Sequence, residues 1–295
     1  MKQNKILNKI TKVTSPSGQT GKSTVAANLA LRFAQMGYLT AVVELDRYTG
    51  TSPFLHNCTE IHGTKGLQAA METTEDTEII SNFVQSKQHE SLFYLSMHLR
   101  NEIHDLHRFN MSQLDLILRV ARNKFDKLFI DAPMNYLDNG FFSALHIKPD
   151  QTIMVMDENM VTWHRLRQYD LFLKSIKAGY RRTAAVVNQY QELLPPNFAT
   201  EACEALEMIR IHECCQMPFM KSVVRAGNEG VLLGDTVPSG KKEREYVRAL
   251  DQMVAFILQA DTPEKPEVKK NLQALLPSIF NKRNRTKEKV VNHEA

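Results

Sequence analysis

SPSGQTGKST, Ser15–Thr24, is the stretch on which the fold of this 295-residue chain turns. Its second half, Gly21-Lys22-Ser23-Thr24, matches the close of the phosphate-loop pattern G-x-x-x-x-G-K-[ST]. Its first half departs from that pattern, because the opening glycine falls on Pro16. A subclass of such loops adds a lysine and a second glycine, and those places hold Ser17 and Gln19 here. GKST alone arises often by chance, so its flanks carry the weight. KITKVTS (9–15) reads as a strand, although Lys12 would sit awkwardly in a central one. TVAANLALRFAQM repeats Val25, Leu29, Ala30 and Phe33 at helical spacing, and Gly37 is a natural stop. YLTAVVELD (38–46) then reads as a β-branched strand ending in acids. Strand, loop, helix and strand in that order form the setting a phosphate loop requires.

Residues 47–90 are polar and mixed, with few strong signals. Beyond them the alternation resumes. SLFYLSM (91–97) reads as a strand. SQLDLILRVARNKF reads as a helix with Leu114, Ile117, Leu118 and Ala121 on one face. KLFIDAP (127–133) and DQTIMVMDEN (150–159) read as strands. A helix around Trp163–Ile176, strand TAAVVNQ (183–189) and a last helix over 239–259 follow. Alternating strands and helices predict an α/β fold with a doubly wound, mostly parallel sheet flanked by helices. Such sheets bind ligands at the carboxyl ends of their strands, where Asp46, Asp131, Asp157 and Asn188 fall. The expected organisation is one domain over 1–260, then a charged linker and an amphipathic basic tail over 261–295.

Composition narrows the class. A hydrophobic share of 43% supplies a substantial core. No run approaches the ~18 apolar residues of a membrane span, and the N-terminus lacks a signal-peptide apolar stretch, so a cytoplasmic protein is expected. Four cysteines agree with a reducing compartment, and the adjacent Cys214 and Cys215 form no ordinary disulfide. His212, Cys214 and Cys215 fit no zinc spacing and read as ordinary thiols and a histidine. The net charge of +4 resides in residues 262–295, and the remainder is balanced. A neutral body argues against a chain built mainly to coat nucleic acid.

A phosphate loop works because backbone N–H groups and a helix N-terminus converge on an anion. Gly18 and Gly21 are expected to give the backbone its freedom. Ser17, Gly18, Gln19, Thr20 and Gly21 would line the phosphates. Lys22 would reach the β- and γ-phosphates, Ser23 would offer a hydroxyl to Mg²⁺, and Thr24 would stand beside the α-phosphate. Asp131, after the apolar KLFI, is the expected acid near the metal. The cofactors expected are ATP and Mg²⁺.

TSPSGQTGKSTVAANLALRFAQMGYLTAVVELD resembles the opening of the MinD/ParA family of P-loop ATPases. FDKLFIDAP, SLFYLSM, VVNQY and MPFMKSVVRAGNEGVLL resemble its later segments, and the likeness spans roughly residues 9–260. It implies a mostly parallel sheet, a face-to-face homodimer around ATP, and a role in positioning division inhibitors, plasmids, pili or similar cargo. Carried over by position, Asp46 would orient the attacking water, Asp131 would hold the metal through water, and Asn188 would contact adenine. Two departures stand out. The family's signature lysine falls on Ser17, and its acid-Thr-Pro-Pro switch reads Asp131-Ala132-Pro133-Met134. Both weaken dimer-coupled hydrolysis and leave the binding parts in place, so slow turnover or a non-hydrolysing scaffold are the two expectations. Irregular loops also mark the CpaE/TadZ pilus-assembly members, although their usual N-terminal receiver-like domain is not expected here. Capsule-type bacterial tyrosine kinases share the Ser-Pro start and the missing lysine, but residues 262–295 hold no tyrosine.

In KKNLQALLPSIFNKRNR, Leu272, Leu275, Leu276, Ile279 and Phe280 share one helical face, followed by Lys282, Arg283 and Arg285. MinD-type proteins end in a similar membrane-targeting segment, so residues 268–285 could meet an anionic membrane surface, with the protein peripheral on the inner face of the cell membrane. Pro277 interrupts that helix, and packing on the body or on a partner is the alternative. DNA contact through Lys241, Lys242, Arg244 and Arg248 is open, as is a merely solvated helix face.

Overall fold

The computed structural model describes residues 9–45, 55, 66–87, 89–96, 111–132, 149–175, 179–232 and 238–259. The described strands are β1 Ile10–Thr14, β2 Thr40–Glu44, β3 Val84–Gln85, β4 Leu92–Leu95, β5 Lys127–Asp131, β6 Gln151–Met156, β7 Tyr180–Tyr190 and β8 Ile209–Pro218. They form a single sheet in the order β3-β4-β2-β5-β1-β6-β7-β8. Every pairing is parallel except β3 with β4. The expected doubly wound, mostly parallel sheet is therefore what the chain forms.

The helices are α1 Lys22–Gln35, α2 Leu67–Met71, α3 Asp76–Ser81, α4 Met111–Lys124, α5 Met160–Ser175, α6 Phe198–Glu204, α7 Lys221–Asn228 and α8 Lys241–Leu258. Successive residues of a strand point to opposite faces. In β2, Val42 joins the cluster under α1 and α8, whereas Ala41 and Val43 join the cluster under α2, α3 and α4. A third cluster lies between α5, α6 and the Met154, Met156, Ala185 and Val187 side of β6 and β7. Burial on both faces explains the apolar Leu128, Phe129 and Ile130 between Lys127 and the terminal acid.

The elements absent from the sequence reading are short or polar. α2, α3 and β3 fall in the segment 66–85, which carried few signals. Strand β8 alternates in exposure along its length, as an edge strand does, so its His, Cys and Glu residues hide a strand pattern. Lys12 is the other surprise. β1 is central, between β5 and β6, and Lys12 is only 1% exposed within it. Burial pushes its ammonium down to about 7.

Two buried carboxylates brace the right-hand half of the sheet. Glu158, just after β6, accepts hydrogen bonds from the backbone N–H groups of Gln191, Leu193 and Leu194 at 2.5, 2.7 and 3.2 Å. Asp170 in α5 accepts from the N–H groups of Glu207, Met208 and Ile209 at 2.9, 2.8 and 2.8 Å. The first fixes the chain leaving β7, and the second fixes the chain starting β8. Buried charges of this kind persist only when their lone pairs are taken up, as here.

Candidate nucleotide-binding site

Residues 15–21 join the carboxyl end of β1 to α1, at the centre of the sheet. Gly21 occupies the N-cap of α1 with φ 79°. No side chain caps that helix and its first turn holds no acid. Its first N–H groups and the positive end of its dipole are therefore not neutralised locally. Gly21 is required twice over: its φ is left-handed, and a Cβ there would stand 2.2 Å from Asn188 Nδ2. The sequence reading gave the remaining freedom to Gly18. The structure corrects this: the other left-handed loop residue is Gln19, at φ 61°, where the lysine- and glycine-bearing subclass has glycine. A residue with a Cβ costs about 1–2 kcal/mol in that conformation. The loop keeps the shape without the residue that makes it inexpensive.

Lys22 Nζ pairs with Asp131 Oδ1. Asp131 ends β5, next to β1, so adjacent strands bring together two residues far apart in sequence. Its other oxygen, Oδ2, is buried with no partner among the described residues, and so is Thr20 Oγ1 in the loop. Unsatisfied buried oxygens are costly, and their clustering at an uncapped helix start marks a place that expects a ligand. A second carboxylate, Glu44, ends β2 in register with Asp131. It is 1% exposed and accepts a hydrogen bond from Ser96 Oγ at 2.9 Å. The sequence reading passed over Glu44 and named its neighbour Asp46. The signal was present, because ELD offers two acids at one strand end.

The end of β7 is tied to the loop. Asn188 Nδ2 donates to the Thr20 carbonyl at 2.7 Å, and Gln189 Nε2 donates to the Gln19 carbonyl at 3.1 Å. Beyond this seam lies a cavity of about 460 Å³, lined among others by Gly21, Thr24, Asn188, Pro218, Met220 and Tyr246. That size suits a small-molecule ligand. The Tyr246 hydroxyl is buried without a partner among the described residues, and burial pushes its pKa up. Ser23 and Thr24 are half-buried in the first turn of α1. Ser17 is 7% exposed; its N–H donates to Ser15 Oγ at 3.1 Å, and its own Oγ accepts from Arg165 Nη1 at 3.3 Å.

The structure thus gathers Ser17, Gly18, Gln19, Thr20, Gly21, Lys22, Ser23, Thr24, Asp131 and Asn188 around one loop. Asp46 lies outside the described residues, as does the tail segment 268–285. Asp157 turns out to serve α5: it accepts the N–H of Asn159 at 3.1 Å, and its carbonyl takes Trp163 Nε1 at 2.8 Å. Lys241, Lys242, Arg244 and Arg248 lie exposed along α8, with Lys241 paired to Glu245 at 3.8 Å.

Residues 6–254 match the ParA family model, described as the NUBPL iron-transfer P-loop NTPase. The chain belongs to the ParA family of P-loop NTPases. Among its relatives is the septum site-determining protein MinD of Neisseria meningitidis, 22% identical over 262 residues, covering 82% of this chain and 90% of that one. MinD of Pyrococcus horikoshii, solved in complex with Mg-ADP, shares the fold with a TM-score of 0.66 at 15% identity, covering 83% of this chain and 95% of that one. MinD, the cell-division ATPase of Pyrococcus furiosus, gives 0.68 at 17% identity, covering 84% and 99%. Among the described residues of this ParA-type chain, no helix is long and apolar enough to cross a membrane.

Proposed function

We propose that this chain binds Mg-ATP at the 15–24 loop, hydrolyses it slowly, and acts as a positioning ATPase. The observation that carries the reading is the unsatisfied Asp131 Oδ2 beside an uncapped α1 N-terminus. Hard oxygen donors suit Mg²⁺, and Asp131 with the Ser23 hydroxyl would hold it. Bound there, the ion would neutralise charge on the phosphates. Backbone N–H groups of residues 17–24 would cradle those phosphates, with Lys22 turning from Asp131 towards them. Asn188 and the cavity beside it would take the base, and Tyr246 offers its hydroxyl at the cavity wall. Asp46 would orient the attacking water.

The relatives' names place them in septum-site determination and cell division. That supports a localising role here, with a nucleotide-dependent homodimer and an anionic membrane surface as partners, the latter through 268–285. Cysteine spacing argues against the iron-transfer wording of the family description: Cys58, Cys203, Cys214 and Cys215 contain no Cys-x-x-Cys pair of the kind that holds clusters. A non-hydrolysing scaffold is the second reading, favoured by Ser17 in place of the signature lysine and Ala132 in place of a hydroxyl.

Steady-state phosphate release from the wild type, Lys22→Ala and Asp46→Ala tests the proposal. Release above background by the wild type, lost in both variants, is expected. Background rates in all three favour the scaffold, and label appearing on protein tyrosine would point to a kinase instead. Adding anionic vesicles to the same protein, with and without residues 268–295, reads out the membrane arm by co-sedimentation.

A further inference from the structure

Position 17 lacks a cation in the loop itself, yet a cation stands next to it. Arg165 comes from the second turn of α5, and its Nη1 donates to Ser17 Oγ at 3.3 Å. The placement is set by the backbone. β6 pairs in parallel with β1, with Thr14 opposite Met154, so the start of α5 lies beside the start of the loop. The first turn of α5 is pinned: Asn159 Oδ1 accepts the N–H of Val161 at 2.9 Å, its carbonyl accepts the N–H of Thr162 at 2.9 Å, and Trp163 packs edge-on against Phe198. Arg165 is thus presented by a fixed helix start rather than by a loose loop.

Apart from the one to Ser17, its guanidinium makes no hydrogen bond or ion pair among the described residues, and the residue is exposed. A guanidinium carries five donors in a rigid fork that matches phosphate geometry. A neutral serine hydroxyl uses one of them weakly. Arginine supplied within the same chain to a terminal phosphate is a known physical solution in phosphoryl transfer.

We propose that Arg165 is a phosphate-binding residue, supplying in cis the positive charge that the loop lacks at Ser17 and directing it to the terminal phosphate of a nucleoside triphosphate. This rests on the nucleotide reading above. It makes the site complete within one chain, in place of a lysine reaching across to a partner's nucleotide.

The test is equilibrium binding of a non-hydrolysable ATP analogue and of ADP, both with Mg²⁺, to the full chain carrying Arg165→Gln or Arg165→Lys. Glutamine keeps a polar, hydrogen-bonding side chain but has no charge; lysine keeps the charge. The wild type is expected to prefer the triphosphate, Arg165→Gln to lose about tenfold or more of that preference, and Arg165→Lys to retain part of it. An unchanged preference in Arg165→Gln overturns the proposal. So does equal weakening of both nucleotides in both variants, because that is the signature of a contact that only holds the loop. A wild type that binds neither nucleotide removes the functional reading itself, whereas binding that Lys22→Ala abolishes and Arg165→Gln leaves intact removes this inference alone.

Discussion

Lys22 and Asp131 show what a single residue contributes to the site and to the fold together. Asp131 is fully buried as a side chain and Lys22 is 14% exposed, so each charge depends on the other for compensation. Removing one partner of such a pair leaves a buried charge, which costs about 3–5 kcal/mol. Lys22→Ala is therefore expected to lower urea stability by that order, and Asp131→Asn in the same chain should restore much of it. Nucleotide binding should be lost in the single variant and stay lost in the double. A Lys22→Ala protein as stable as the wild type would show that the pair does not hold the resting structure. Sequence revealed both residues, through GKST and through the acid closing an apolar strand. It marked Gln19 as standing where the subclass has glycine, but not that Gln19 keeps the left-handed backbone there; the hydrogen bond from Gln189 to its carbonyl is tertiary.

At the scale of elements, strands were legible and their braces were not. β5 and β6 carry apolar stretches, Leu128–Ile130 and Ile153–Met156, because both faces are covered, and that pattern is local. Glu158 falls at the end of the stretch read as a strand and Asp170 inside the helix around Trp163–Ile176, and nothing local marks either as a brace. Their role appears only when the chain around 191–194 and 207–209 comes back to them. Arg165 was missed for the same reason, its contact lying across 148 residues of sequence. Because three amides lose their acceptor at once, Asp170→Ala is expected to cost about 3 kcal/mol of unfolding free energy, read from denaturant midpoints. Asp170 sits at the amino end of β8, away from the loop, so nucleotide affinity of the folded variant should match the wild type. A variant with wild-type stability would mean those amides find water instead.

The whole molecule carries a buried lysine at its centre, and its pH dependence follows. Lys12 is pushed down to about 7 and Lys127 to about 8, in both cases chiefly by burial. Below those values both folded and unfolded chains hold the protons, and the folded chain bears the full penalty. Above them the folded chain sheds its protons while the unfolded chain keeps them up to the ordinary lysine range, so stability rises with pH. Burial also pushes the Cys215 thiol up, which opposes the trend once thiols of the unfolded chain ionise. Stability should therefore climb between about pH 7 and pH 8.5, by at most about 1.4 kcal/mol per unit for each lysine. Lys12→Met, close in volume, should flatten that climb, as measured by chemical denaturation at several pH values. An unchanged slope would place the effect elsewhere.

The sheet order has a further consequence, in time rather than in space. β1 precedes both its neighbours in the chain: Ile10 pairs with Leu128 and Thr11 with Gln151. During synthesis the loop at 15–21 leaves the ribosome long before the strands that flank it exist. Closing such distant contacts is slow, and an unpaired central strand is exposed meanwhile. A nascent chain therefore has no working phosphate loop until β6 has emerged, and the Asn188 seam waits for β7. Nucleotide added to a folding mixture can reward only molecules in which the middle of the sheet has already closed.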